Sequence, residues 1–146
     1  GLDLAGIDAE IQAVRVADNR FSRREVLQRL IRKTAVLLNT LDSSIPCNAG
    51  TKTPIIWRSD FFAGAYAAVD DITERAVDIA ARELNLRLET TYTGKAMAAL
   101  LHDLDSSDSD ARYLFWNTYN SRPLPTFDRD PPRRDQLPKQ FARYYD

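Results

Sequence analysis

The chain has 146 residues, of which 44% are hydrophobic and 28% charged, and its net charge is −1. This length predicts one domain that buries ~70% of its unfolded surface, while the near-neutral charge excludes a global field that would attract nucleic acid. No apolar run approaches the ~18 residues that cross a bilayer, so no membrane partner is expected, and the lone Cys47 excludes an internal disulfide and favours a cytoplasmic location.

The first two predicted elements are the end of a helix and a strand. The opening "GLDLAGID" is typical of a helix end followed by a turn, with Gly6 at the helix C-terminus. A chain that opens inside an element is expected to be a fragment of a longer protein. Residues 10–17, "EIQAVRVA", alternate apolar and polar residues and predict a buried strand.

Residues 22–41 predict a long amphipathic helix. Ser22 and Glu25 predict a capping box at its start. One face is apolar, with Val26, Leu27, Leu30, Ile31, Thr34, Leu37, Leu38 and Leu41 at helical spacing. The other face carries five cations: Arg23, Arg24, Arg29, Arg32 and Lys33. Such a face could hold an anion, but a solvated helix face is the favoured interpretation.

The second half of the chain continues the alternation of strands and helices. Residues 42–54 predict a loop, and 55–69 a short strand followed by a loop around Gly64 and Tyr66. Two helices are expected, over 70–85 with a cap at Asp71 and Glu74, and over 94–104. An acidic turn over 103–111 precedes a predicted strand over 112–119. The Pro-rich tail, 122–146, is expected to be extended, with a short helix over 137–145.

This alternation predicts an α/β fold with a parallel sheet. Strands near 11–17 and 112–117 should be neighbours, with helices 22–41 and 70–85 packed on them. Ligands of open α/β sheets bind beyond the carboxyl ends of the strands. We expect the "NTYNS" stretch, the turn with Tyr66 and the helix start at Thr93 to lie there.

Several chemistries lack their motifs in this chain. There is no Gly-rich phosphate loop and no G-x-S-x-G nucleophile motif. One Cys and one His at this spacing do not indicate a zinc site, so no metal is predicted. His102 falls inside a predicted helix, where a surface or half-buried role is favoured over catalysis.

The stretch "TYTGKAMAAL" has two interpretations. In the structural one, Thr93 caps a helix, Gly94 eases the turn and Tyr92 is a core aromatic residue. In the functional one, the Thr93 hydroxyl meets a heteroaromatic nitrogen while the Tyr92 ring lies against the ligand. Spacing alone favours the structural interpretation.

A resemblance favours the functional one. "LETTYTGKAMAALL" resembles the "LDPVYTGKA" segment of fold-type II pyridoxal-phosphate enzymes, the tryptophan synthase β superfamily, and especially D-cysteine desulfhydrase and 1-aminocyclopropane-1-carboxylate deaminase. "GLDLAGIDAEIQAVRVA", "FFAGAYAAVDDITERAVDIAARELNLRLETTYTGKA" and "ARYLFWNTYNS" are similar to further segments of that family in the same order. The resemblance covers residues 1–121 and implies an incomplete three-layer α/β domain of the tryptophan synthase β-like fold.

The resemblance assigns roles residue by residue. Tyr92 and Tyr66 correspond to the two active-site tyrosines, although Ala67 stands where the family usually has glycine. Thr93 corresponds to the hydroxyl that faces the pyridine nitrogen, and Gly94 belongs to the same cofactor-binding turn. Residues 117–120, with Asn117 and Thr118 as cofactor contacts, replace the family's His-Thr-Gly-Gly loop.

These roles imply a reaction class. Pyridoxal 5'-phosphate is an electron sink for a carbanion. A neutral hydroxyl at Thr93 stabilises that charge less than a carboxylate would, which suits β-elimination from a cysteine-like amino acid with release of pyruvate, ammonia and sulfide. Tyr92 or Tyr66 would position the substrate or move a proton.

The family's Schiff-base lysine and phosphate loop have no counterpart in this sequence, and Lys95 is not that lysine by its place in the motif. The resemblance therefore predicts the C-terminal part of a PLP-dependent lyase or deaminase, with a small amino-acid substrate and a homodimer as a possible assembly. The alternative is a non-catalytic α/β domain that binds a small molecule or a partner.

Overall fold

The computed structural model describes residues 1–106, 110–120, 122 and 133–140. Its elements, in chain order, are α1 (Leu2–Ala5), β1 (Ile11–Val14), α2 (Arg24–Leu41), β2 (Ile55–Arg58), α3 (Asp71–Leu84), α4 (Thr93–Ser106) and a short 3₁₀ helix (Arg134–Gln136). An α/β architecture is therefore confirmed. Most of the predicted tail and much of the expected helix over 137–145 lie outside the described residues.

The sheet consists of β1 and β2, which run parallel with Ile11 opposite Ile55 and Val14 opposite Arg58. A parallel pair needs a long crossover, and α2 supplies it. The predicted pairing of 11–17 with 112–117 was wrong, since residues 110–120 contain no strand. Leu114 and Trp116 are 87% and 77% exposed there. Apolar alternation makes a strand only where a neighbouring backbone is in reach, and here Phe115 alone packs on the core.

Helix α2 begins at Arg24, one residue later than it would if Ser22 were its N-cap. Arg23 is its N-cap, in extended backbone and without a side-chain cap, so the predicted Ser22–Glu25 capping box was wrong. The reason is a preceding turn, in which the amides of Phe21 and Ser22 both donate to the Asp18 carbonyl. Ala35 is the one fully buried residue of α2. Much of the predicted apolar stripe stays exposed, with Leu30 54%, Leu37 58% and Leu41 76% accessible.

The main core lies between α3 and α4. Small residues bring the two helices together, and the buried cluster consists of Phe61, Ala76, Ala80, Leu88, Met97, Ala98 and Ala99. The prediction packed helices 22–41 and 70–85 on the sheet, but in the described residues α4 is the helix with the main contact to β1. The N-cap of α3 is Asp70, which accepts from the Thr73 amide at 2.8 Å and the Thr73 hydroxyl at 2.6 Å. The cap was therefore predicted one residue too late, at Asp71.

Candidate functional site: a tyrosine pair before helix α4

The structure brings together the two tyrosines that the resemblance singles out. Tyr66 lies in the loop over residues 59–70 that follows the carboxyl end of β2, and Tyr92 lies in the turn before α4. Their hydroxyls are hydrogen-bonded to each other. The ring centroids are 6.1 Å apart with the rings tilted by 60°. Both rings are about half exposed, at 54% and 45%, so the pair is a surface feature open to a ligand rather than part of the core.

The electrostatic surroundings keep the Tyr92 hydroxyl protonated. The hydrogen bond with Tyr66 is the largest effect that raises the pKa of Tyr92 above its ordinary value of 10.0, and the nearby charge of Glu89 acts in the same direction. At neutral pH the Tyr92 hydroxyl therefore keeps its proton and can serve as a hydrogen-bond donor.

The loop that carries Tyr66 adopts an unusual backbone. Ala63, Gly64 and Ala67 have φ values of +60°, +81° and +59°. This left-handed region suits glycine and costs a residue with a Cβ about 1 kcal/mol or more. Non-glycine residues in it are concentrated at functional sites, because the surrounding structure must hold them there. Ala67 therefore carries a Cβ in a backbone conformation that favours glycine.

Glu89 organises the turn before α4, and the sequence interpretation missed it. Its carboxylate accepts from the amides of Thr91 at 2.7 Å, Tyr92 at 3.0 Å and Thr93 at 2.6 Å. Burial raises the pKa of Glu89, but these hydrogen bonds and that of the Thr93 hydroxyl outweigh it and hold the pKa below 4.5. The Glu89 carboxylate thus accepts from the two amides before α4 and from the first amide of α4, and an acid four residues before Thr93 was the available signal.

Thr93 does not present its hydroxyl to an open site. It is the first residue of α4 and is 4% exposed. Its Oγ1 accepts from the Glu89 amide at 3.2 Å and lies 2.9 Å from Glu89 Oε1, to which it donates. The expected role of Thr93 as an N-cap was therefore wrong, because Glu89 takes that role. Both hydrogen-bonding functions of the hydroxyl are used inside the protein.

Gly94 and Lys95 are fully engaged in packing. A Cβ on Gly94 would lie 2.7 Å from Val77 Cγ2 and 2.8 Å from the Glu89 carbonyl oxygen, so glycine lets α4 approach α3. Lys95 is 0% exposed, and its Nζ donates to the Phe62 carbonyl at 2.8 Å. Burial lowers the pKa of Lys95 below 10.5, which the charges of Asp70 and Glu89 oppose. Lys95 ties α4 to the tyrosine loop.

Asn117 and Thr118 are exposed in the segment 110–120. The Asn117 side chain accepts from the Tyr119 amide at 3.0 Å, within its own loop. No hydrogen bond or aromatic contact joins either residue to the tyrosine pair in the part of the chain that the structure describes. Since no strand precedes it, this loop does not follow the carboxyl end of a strand as expected.

Comparisons of the chain with known protein families, curated proteins and solved structures found no match.

Within the described ranges, no cluster of three or more His, Cys, Asp or Glu side chains could hold a metal ion. Among the helices of those same ranges, none has the length and apolar character to cross a membrane. The tyrosine pair and the residues around it are therefore the candidate functional site.

Proposed function

We propose that the chain is the C-terminal part of a pyridoxal-phosphate-dependent lyase acting on a small, cysteine-like amino acid, and that Tyr66 and Tyr92 contact the substrate. The observation that carries the proposal is the hydrogen-bonded pair formed by these two tyrosines, 26 positions apart in the sequence. The left-handed conformation of Ala67 supports it, because the resembled family usually has glycine there.

The tyrosine pair is available to a ligand, whereas Thr93 and Lys95, which lie close to Tyr92 in the sequence, are not. Tyr66 and Tyr92 are each about half exposed, and a phenol hydroxyl can hydrogen-bond to the carboxylate or leaving group of a substrate. The Thr93 hydroxyl is bonded to Glu89, and the Lys95 amine is buried against Phe62. Neither side chain is therefore free to hold pyridoxal phosphate, and no cofactor contact is assigned to Thr93 or Lys95.

The chemistry that this chain's own residues supply is hydrogen bonding by Tyr66 and Tyr92. A protonated Tyr92 holds Tyr66 by its hydroxyl, and together they offer a donor and an acceptor a few ångströms apart. Such a pair can orient a substrate carboxylate or hydrogen-bond to its leaving group. Glu89 fixes the backbone beneath Tyr92, so the ring position is set by the cap of α4.

A second candidate is a non-catalytic α/β domain that binds a small molecule or a partner. The burial of Thr93 and Lys95 favours it, since both side chains are used for packing. In that case the tyrosine pair is a binding surface, and no elimination reaction depends on it.

The experiment uses the full-length gene product that contains this chain. Pyridoxal phosphate is titrated by visible absorbance, and pyruvate and sulfide release is assayed with D-cysteine and L-cysteine. Tyr66→Phe and Tyr92→Phe should each lower turnover about 100-fold with little change in melting temperature. Tyr113→Phe, which alters an exposed tyrosine outside the pair, is the matched control and should have no effect. A full-length protein that neither binds the cofactor nor releases pyruvate would exclude the lyase and favour the second candidate.

A further inference from the structure

A groove between α2 and the residues before β2 shares no residue with the tyrosine pair. It has a volume of about 360 Å³ and is lined by Arg24, Leu27, Gln28, Ile31, Arg32, Gly50, Thr51, Lys52, Thr53, Pro54 and Ile55. This volume falls at the small end of the range of ~300–1,000 Å³ that small-molecule sites occupy. The groove is therefore large enough for a small organic ligand.

The lining of the groove has one sign of charge. Arg24, Arg32 and Lys52 contribute three cations, and no Asp or Glu side chain lines it. None of the three cations forms an ion pair in the part of the chain that the structure describes. The Asp3 carboxylate contacts the edge of the groove, since it accepts from the Gly50 amide at 2.7 Å. Such a groove concentrates anions, because the low-dielectric walls focus the field of its cations.

The rest of the lining determines what kind of anion fits. Leu27, Ile31, Pro54 and Ile55 give it an apolar wall, while Gln28, Thr51 and Thr53 offer neutral hydrogen-bonding groups. Arginine binds phosphate through two parallel N–H donors, and lysine adds a point charge. Three cations also match a doubly charged phosphate better than a singly charged carboxylate.

We propose that this groove binds a small organic phosphate monoester, with the phosphate held by Arg24, Arg32 and Lys52 and the apolar body against Leu27 and Ile31. Another grooved surface, along α3, differs in charge: its lining includes Asp71, Glu74, Asp78 and Glu83, and it lies on a single helix. The proposal is independent of the lyase, since its residues do not overlap with those assigned to substrate binding.

The test is titration calorimetry on the 146-residue chain with phenyl phosphate as the probe. Arg24→Gln, Arg32→Gln and Lys52→Gln should each weaken binding about tenfold, the cost of a lost charge-assisted contact. Arg29→Gln and Lys33→Gln are the matched controls, because they remove one charge from the same helix outside the groove. Circular dichroism checks that every variant keeps its fold.

Two further ligands separate the contribution of the phosphate group to binding from that of the apolar wall. Inorganic phosphate should bind at least tenfold more weakly than phenyl phosphate if the apolar wall contributes, and benzyl alcohol should not bind. Equal losses in the groove and control variants would overturn the proposal, since net charge alone would explain them. The absence of phenyl phosphate binding, together with groove-dependent sedimentation on phosphatidic acid vesicles, would assign the groove to a lipid headgroup and refute a soluble ligand.

Discussion

Ala67 is held in a conformation that its side chain disfavours. Its φ of +59° places a Cβ in the left-handed region, and the residue is exposed, so no packing opposes its replacement. We predict that Ala67→Gly raises the free energy of unfolding by about 1 kcal/mol. Ala81→Gly, at an exposed position inside α3, should lower it by about 0.5–1 kcal/mol. Urea denaturation of both variants measures this opposite response. If both substitutions destabilise, the loop does not hold Ala67 in the left-handed region.

The stability of α4 depends on the ionised carboxylate of Glu89. Its pKa is lowered in the folded chain, so the stabilisation is complete above the unfolded pKa and is lost as the pH falls through the folded pKa. Glu89→Gln should cost about 1 kcal/mol at pH 7 and less as the pH falls below 4.5. Melting curves between pH 3 and pH 7 test this, with exposed Glu83→Gln as the control. A constant difference across that range would rule out the charge of Glu89 as the cause.

At the scale of elements, Gly94 decides how closely α4 approaches α3. Glycine to alanine inside a helix usually stabilises it by up to about 1 kcal/mol. Here the new Cβ would meet Val77 Cγ2 at 2.7 Å and the Glu89 carbonyl at 2.8 Å, so we predict a net loss of about 2 kcal/mol. Val77→Ala should recover part of that loss in the double variant, because the contact with the Glu89 backbone remains. Urea denaturation of the two single variants and the double variant measures the coupling. A stabilised Gly94→Ala chain would contradict the packing role.

The elements show what local sequence patterns can and cannot predict. Helices α2, α3 and α4 were predicted to within about two residues at each end, because their periodicity and helix formers extend over three turns or more. Their caps were misplaced, since Asp70 competes with Asp71 and the Asp18 turn takes up the Ser22 amide. The strand over 112–119 was wrong, because its apolar residues find no neighbouring strand. Strand pairing depends on a segment that is distant in the sequence, and local periodicity carries no information about that segment.

In the candidate site too, some contacts had a local sequence signal and others depend on the fold. The α/β pattern placed the Tyr66 turn and the start of α4 at the same end of the sheet, but only the resemblance singled out Tyr66 and Tyr92, which are 26 positions apart. The role of Glu89 has a local signal, an acid before a helix start, but "LETTYTG" offers three threonines that compete for the cap. The groove cations come from α2 and from the loop before β2, so only the fold brings them together.

At the scale of the whole molecule, the apolar surface is unevenly covered. The pair α3–α4 has a closed core, whereas α2 leaves Leu30, Leu37 and Leu41 more than half exposed along one face. Adjacent apolar side chains of this size favour contact with another surface. The cations of α2, at Arg24, Arg29, Arg32 and Lys33 against the single acid Glu25, would repel the same helix of a second copy.

These two features predict a self-association that depends on salt. We expect the chain to associate reversibly with rising concentration, through α2, and more strongly at high ionic strength, because salt screens the repulsion between the basic helices. The double variant Leu37→Gln and Leu41→Gln should weaken association by tenfold or more, since each buried leucine contributes roughly 1.5–3 kcal/mol. Leu84→Gln, at an exposed leucine on α3, is the matched control and should leave it unchanged. Sedimentation velocity at several protein and salt concentrations measures the effect. A chain that stays monomeric throughout, or a control variant that weakens association equally, would show that the exposed face of α2 is not an interface between copies.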